Sequence, residues 1–292
     1  MKRFLFVLSL TLTSAAAAVI MYGGNGGHNN GDSINDGWLV TINQTTGAVT
    51  PVGHPGSVSR ISGLAFDLTG ALFITTQGGT GFPPPPGPTT ASNLIQINPA
   101  TGAIINNIGL VKDAMGTAIS IADLAVQPGT GLLYGIRGPN DQLGGQGLLY
   151  TINKTTGVAT LVGNTGDFFG SIAFGPNGTL YMSAADLDGM GNFVVVGLKT
   201  LDPSNANTLS VVPTTDFFGA FGVRPDGVLF GGTGDTGQLF TINPITGAET
   251  LVGSTGRNFV GDVDFLAPEP STLVLFGIGI GLLVIVKRAC RS

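Results

Sequence analysis

The chain has 292 residues, of which 48 are glycine and only 10% are charged, while 42% are hydrophobic. So much glycine without a collagen period fits many short strands joined by tight turns. Between Val19 and Ala267 sixteen Asp and Glu stand against seven Lys and Arg, an acidic balance that argues against nucleic acid and anionic membrane surfaces as partners and suits cations or neutral glycans.

At the N-terminus, Met1-Lys-Arg places positive charge ahead of the apolar run Phe4–Leu12, and the small residues Ala15–Ala18 follow. This is the pattern of a secretory signal peptide spanning residues 1–18. The run is too short, and ends in too many alanines, for a membrane anchor. An exported protein is permitted disulfides, yet the only cysteine, Cys290, lies in the C-terminal tail, where it is read as a bystander.

From there a phrase recurs. Gly237-Gln-Leu-Phe-Thr-Ile-Asn-Pro-Ile-Thr-Gly247 repeats Leu148-Leu-Tyr-Thr-Ile-Asn-Lys-Thr-Thr-Gly157, Trp38-Leu-Val-Thr-Ile-Asn-Gln-Thr-Thr-Gly47 and Asn93-Leu-Ile-Gln-Ile-Asn-Pro-Ala-Thr-Gly102. A worn copy begins at Val196-Gly-Leu-Lys-Thr-Leu-Asp202. Each is a β-rich strand, a turn closed by Asn/Asp-x-x-x-Gly, and a second strand. A second phrase alternates with it: Gly63-Leu-Ala-Phe66, Asp123-Leu-Ala-Val126, Ser171-Ile-Ala-Phe174 and Ala220-Phe-Gly-Val223, each followed by a Pro- or Gly-containing turn and another strand. Four antiparallel strands at a spacing of roughly 40–55 residues are the signature of a propeller blade.

The mature chain opens on Val19-Ile-Met-Tyr22, which matches the second strand of the first pair, and the repeat ends on Val260-Gly-Asp-Val-Asp-Phe265, which matches the first. The expected fold is therefore all-β: a five-bladed β-propeller over residues 19–266, with one blade closed by pairing the 260–265 strand with the N-terminal strands. Closure removes a sheet edge that would otherwise template aggregation. The alternative is six blades with one degenerate, but no strand pair is left to form it. Gly170, Gly219 and Gly261 precede the inner strands, where backbones are expected to crowd. The blade pattern loosely resembles NHL-type, quinoprotein-like and other exported bacterial propellers. That resemblance implies a fold and no particular activity.

Strand alternation sends the short turns to one face and the irregular loops to the other: Gly23–Gly37, Gln77–Ser92 with Pro83–Pro86, Arg137–Gly147 and Ala185–Asn192. Binding is expected on that second face. Asp167-Phe-Phe-Gly170 recurs as Asp216-Phe-Phe-Gly219, and Phe259 echoes it. The residues suit an acidic, aromatic rim that could meet a sugar; the preferred reading is that Phe wedges between blades while Asp caps a turn. Asp123 and Asp262 hold equivalent positions near the mouth of a central channel. They would suit a hard cation such as calcium or a carboxylate pair for glycosidic cleavage, but polar residues facing channel water are preferred, since Gly63, Ser171 and Ala220 leave the ring incomplete. Asp186-Leu-Asp188-Gly-Met-Gly-Asn192 lacks the spacing of a calcium loop and reads as an acidic loop. With only His28 and His54 present, no nucleophilic triad or His/Cys metal set can be read. No catalytic residue, resident metal or cofactor is expected.

At the C-terminus, Thr272–Val286 is apolar and uncharged, between Pro268-Glu269-Pro270 and the basic residues Lys287, Arg288 and Arg291. The run is short for a span, but the repeat has ended, and the basic end follows the positive-inside rule, so a transmembrane helix over 272–286 is expected. Pro268-Glu269-Pro270, the glycine-dotted apolar run and the basic cluster, in that order, resemble the sorting tail of PEP-CTERM proteins, here residues 267–292. The resemblance implies export across the inner membrane of a Gram-negative bacterium, membrane anchorage of the precursor by the C-terminal helix, and processing by an exosortase near Pro268–Pro270. The expected function is a non-catalytic binding or structural module at the cell surface or in the exopolysaccharide matrix; the alternative is a glycosidase-like hydrolase of surface polysaccharide. The candidate ligand residues are Asp123, Asp262, Asp167 and Asp216.

Overall fold

A computed structural model describes residues 18–26, 37–56, 58, 60–78, 90–137, 147–234, 236–256 and 260–266. The expected signal peptide, apart from residue 18, lies outside the described residues. So do His28, Pro83–Pro86, Phe259 and the tail with Pro268–Pro270, the apolar run 272–286, Lys287, Arg288, Cys290 and Arg291.

Twenty strands form five four-stranded antiparallel sheets. The first blade orders β20 (Val260–Leu266), β1 (Ile20–Asn25), β2 (Leu39–Ile42) and β3 (Val49–Gly53) from inside out. The second contains β4 (Ile61–Phe66), β5 (Leu72–Gly78), β6 (Thr90–Ile97) and β7 (Ile104–Leu110). The third contains β8 (Ile121–Val126), β9 (Leu133–Arg137), β10 (Leu148–Ile152) and β11 (Ala159–Asn164). The fourth contains β12 (Phe169–Phe174), β13 (Leu180–Leu187), β14 (Phe193–Leu201) and β15 (Thr208–Val212). The fifth contains β16 (Ala220–Val223), β17 (Leu229–Gly232), β18 (Gln238–Ile242) and β19 (Glu249–Ser254). The inner strands β20, β4, β8, β12 and β16 touch in that cyclic order and close on themselves, the five-bladed propeller expected from the repeat.

The repeated Asn/Asp makes each outer hairpin turn locally. Asn43 Oδ1 accepts from Thr45 N at 2.9 Å and Thr46 N at 3.2 Å, Asn153 and Asn243 do the same in their own blades, and Asp202 accepts from Ser204 N. The closing glycine has a second reason to be glycine besides its left-handed backbone (Gly102, φ 69°). A Cβ on Gly102 would come within 2.7 Å of the carbonyl carbon of Gly53 on the outer strand of the preceding blade. The turn of one blade is thus tucked against the outer strand of its neighbour, and Gly47 meets Gly253 likewise across the closure. In the worn copy Ala206 takes the turn position at φ 63° and packs against Gly163.

The core lies between blades rather than within them. One apolar layer joins Leu64, Phe66 and Ile74 to Tyr22 and Leu39; another joins Ile136, Leu149 and Tyr134 to Ile172 and Met182. In three of the five blades the aromatic residue of the second strand meets the last aromatic of the next inner strand: Tyr22–Phe66 at 5.2 Å, Tyr134–Phe174 at 5.1 Å and Phe230–Phe265 at 5.5 Å. A sheet buried on both faces needs apolar side chains on both, and β4 and β16 are buried at every residue. The expected crowding holds at Gly261, whose Cβ would strike the Ile61 carbonyl. It does not hold at Gly219, where the nearest atom lies 3.8 Å away.

Each inner strand runs from the loop end of the propeller to the turn end. Ile20 pairs with Leu266, and the space above Gly70, in the β4–β5 turn, meets Leu266. The first and last strands therefore both open at the turn end. The beginnings of β12, β16 and β14 lie at the opposite end.

Candidate binding face and axial carboxylates

Asp123 and Asp262 come together at the centre, as their equivalent positions suggested, but they do not line a water-filled channel. They are 1% and 0% exposed, and their carboxyl groups hydrogen-bond to each other. Asp262, on blade one, accepts from Leu64 N of blade two at 2.5 Å and from Val263 N at 2.6 Å. Asp123, on blade three, accepts from Ile172 N of blade four at 2.6 Å, from Ser171 Oγ, and from Leu124 N at 2.7 Å. Gly63 of blade two stands between them because a Cβ there would lie 2.8 Å from Leu124 N. The donors explain the arrangement. The inner edge of a blade has no further strand to pair with, so its N–H groups need acceptors when buried. Carboxylates from the neighbouring blade supply them.

Asp264 extends this arrangement and was not singled out in the sequence. It accepts from Phe66 N at 2.7 Å and Phe265 N at 2.8 Å. Asp262 and Asp264 alternate along β20 as Leu64 and Phe66 alternate along β4, so the two acids form successive rungs across the closing seam. The available signal was the Val-Gly-Asp-Val-Asp-Phe alternation, with Asp264 where the sister strands carry Ala or Gly. Burial pushes Asp123 up to about 6 and Asp264 up to about 7. Burial, and then the charge of Asp123, raises Asp262 well above the usual carboxylate range.

This geometry bears on both ligand chemistries considered for the pair. A calcium ion needs free carboxylate oxygens, whereas these face N–H donors and one another. Among the described residues no group of three or more His, Cys, Asp or Glu is placed to hold a metal. Glycosidase carboxyls stand roughly 5–10 Å apart to admit the scissile bond and water, whereas these are in mutual hydrogen bond.

The two Asp-Phe-Phe-Gly copies diverge. Asp167 is 6% exposed and takes Lys199 Nζ on both oxygens, at 2.7 and 2.6 Å. Lys199 was not anticipated; its signal was a cation in β14 where sister strands carry Tyr150 and Phe240. In the second copy Phe218 is 1% exposed, donates its N–H to Ser183 Oγ at 2.9 Å and meets Phe240 at 5.9 Å. Phe218 is the expected wedge. Asp216 is half-buried, and its backbone N–H donates to Glu249 Oε1 at 3.0 Å. Asp188 is used inside its own loop, accepting from Met190 N and Asn192 N, both at 2.8 Å.

What the loop end does present is aromatic. Phe168 and Phe169 of blade four lie 4.8 Å apart, and Phe169 meets Phe193 at 5.1 Å. Phe217, from the segment leading into blade five, meets Phe193 at 5.6 Å. Phe193 is 49% exposed and the others are half-buried. The Asp-Phe-Phe motif pointed to part of this cluster; Phe193, from the start of β14, completes it.

The family described as "Repeat of unknown function (DUF6923)" matches residues 116–261, half of the sequence. The chain belongs to that family. The repeat phrases extend the same pattern upstream, through blades one and two. The PEP-CTERM protein-sorting motif matches residues 266–291, so the protein is exported, is made as a membrane-anchored precursor and is sorted by an exosortase, a membrane enzyme. No curated protein matches the sequence. Among solved structures the chain is similar to one from the nidogen/laminin complex (TM-score 0.49, 10% identity, 86% of this chain and 99% of that one). It is also similar to a protein of unknown function from Bacteroides caccae (0.47, 12%, 86% and 99%). A third is the Dos1 propeller (0.42, 16%, 75% of this chain and 56% of that one).

Proposed function

We propose that the processed propeller is a non-catalytic binding module that works at the cell surface or in the exopolysaccharide matrix. The observation that carries this reading is the division of labour among its polar groups. Asp123, Asp262 and Asp167, which are buried, and Asp264, which is half-buried, are occupied by backbone N–H groups, by each other or by Lys199. The loop end, by contrast, presents side chains to solvent on a rigid ring, which is where recognition usually sits. The sorting motif begins at the last residue of β20, so export delivers the whole propeller. In this reading the C-terminal helix holds the precursor in the membrane until an exosortase cuts near Pro268–Pro270.

The test is to express the chain in a host with and without its exosortase, measure intact mass, and fractionate the extracellular polysaccharide. The expected result is loss of the tail beyond the Pro268–Pro270 region only when the enzyme is present, with the shortened protein recovered in the polysaccharide fraction. A shortened protein found free in the medium, with none in the matrix or on cells, would overturn the binding reading.

A further inference from the structure

The aromatic cluster at the loop end differs from the aromatic pairs between blades. Tyr22–Phe66 and Tyr134–Phe174 seal blade against blade, and their rings are buried. Phe168, Phe169, Phe193 and Phe217 instead form a continuous set spanning blades four and five, contacting one another at tilts of 56–72°. Leu187 pairs with Phe193 across the β13–β14 hairpin and shares its face of the sheet, and Met190, 85% exposed, lies in the turn between the two strands. The same turn carries polar groups in Asp188 and Asn192, which hydrogen-bond to each other. The support beneath is stiff. Asp167, immediately before the pair of rings, is fixed by the buried Lys199, and Phe218, immediately after Phe217, is fixed in the core. The rings are thus held at both ends by groups that cannot follow a ligand.

Size selects among the occupants. Four aromatic side chains, three of them half-buried, offer on the order of 300 Å² to a partner. A stable protein interface takes about 800 Å² from each side, so a second folded protein would be poorly served. A pyranose needs no more than one or two ring faces, against which its C–H groups lie, with hydrogen-bonding groups at the edge for its hydroxyls. The acidic balance of the propeller disfavours a polyanion.

We propose that Phe168, Phe169, Phe193 and Phe217 form a stacking subsite for a neutral polysaccharide, with Phe193 as the exposed central ring and the Asp188–Asn192 turn as its polar edge. This rests on the reading of the protein as a binding module and names the chemistry of its ligand.

The experiment is native gel electrophoresis of the processed protein through hydroxyethyl cellulose, a soluble neutral β-glucan, with alginate, an anionic polysaccharide, in a parallel gel. The neutral glucan should retard the protein and alginate should not. Phe193→Ala and Phe217→Ala should each weaken retardation about tenfold, with the melting temperature of Phe193→Ala close to wild type because its ring is half exposed. Phe193→Trp should keep binding and gain a fluorescence change on adding the glucan, which a merely structural role would not produce. Leu251→Ser, which alters an exposed apolar residue of the outer strand β19, should bind as wild type. Unretarded wild type, or equal retardation of wild type and Phe193→Ala, overturns the subsite. So does self-association that Phe193→Ala abolishes, since it assigns the platform to a second copy. Recovery of Phe193→Ala in the host's matrix at wild-type level removes the subsite while leaving the broader reading intact. Absence of both proteins from the matrix removes that reading.

Discussion

The acids at the axis and the acids in the turns make the same hydrogen bonds and respond in opposite ways. Asp262 and Asp264 each accept two backbone N–H groups. Asp113, in the segment leading to β8, also accepts from backbone N–H groups, those of Thr117 and Met115. The hydrogen bond from Thr117 holds Asp113 below the usual carboxylate range. Asp188 and Asp202 are lowered in the same way, chiefly by Asn192 and Ser204. The axial acids are raised, because burial outweighs the donors. The lesson is one of magnitude: a pair of amide donors favours a carboxylate when water remains nearby, and loses to desolvation when it does not. At Asp167 burial also wins, raising the acid although the Lys199 hydrogen bond and charge oppose it.

Removing the lysine should break this comparison hardest. Lys199→Ala leaves Asp167 buried without its cation and is expected to lower stability by about 3–5 kcal/mol, read as a shift in the urea unfolding midpoint. A near-wild-type midpoint would mean that Asp167 has another partner or reaches water. Asp262 comes next. Asp262→Ala leaves Leu64 N–H without its acceptor at the closing seam and should cost about 2–4 kcal/mol. Asp262→Asn keeps an oxygen for Leu64 N but turns an amide nitrogen, which cannot accept, toward Val263 N, so it should lose about 1–2 kcal/mol, less than the alanine variant.

The pH profile sharpens the same point. In the unfolded chain these acids release their protons near pH 4, while in the folded protein Asp123 holds its own to about 6 and Asp264 to about 7. Between those values the native state binds more protons than the unfolded state, so the axial contribution is complete below about pH 4 and declines as pH rises to about 7. The melting temperature should accordingly fall from pH 4.5 to pH 7.5. A profile that rises over this range would show the axial acids to be ionised in the fold. The smallest effect is expected in the turns. Asp202→Asn should leave the melting temperature unchanged within error, because Asn43, Asn98, Asn153 and Asn243 already fill the same slot in the sister blades. A measurable loss would mean that the charge of Asp202 does more than shape its turn.

The residues alone determined the blades. Asn43 and Gly47 act within a few positions of each other, so their turn is written locally and its recurrence gives both the repeat and the count. The strand at Val260–Phe265 could be matched to the inner strands because the alternation of large and small residues is also local. Even the wedge at Phe218 followed from where its motif fell in the blade. The tertiary structure decided everything that depends on how blades touch. Asp262 reaches Leu64 across 198 residues of sequence and Ile172 reaches Asp123 across 49; the blade repeat says that these strands are neighbours but not that a side chain of one will take the other's backbone N–H. Asp167 and Asp216 share one motif, yet only Asp167 is buried against a lysine, because β14 carries Lys199 where β18 carries Phe240. Motif identity fixes a local conformation. The neighbour that closes over it fixes whether an acid becomes a charge, an acceptor for the next blade or half of an ion pair.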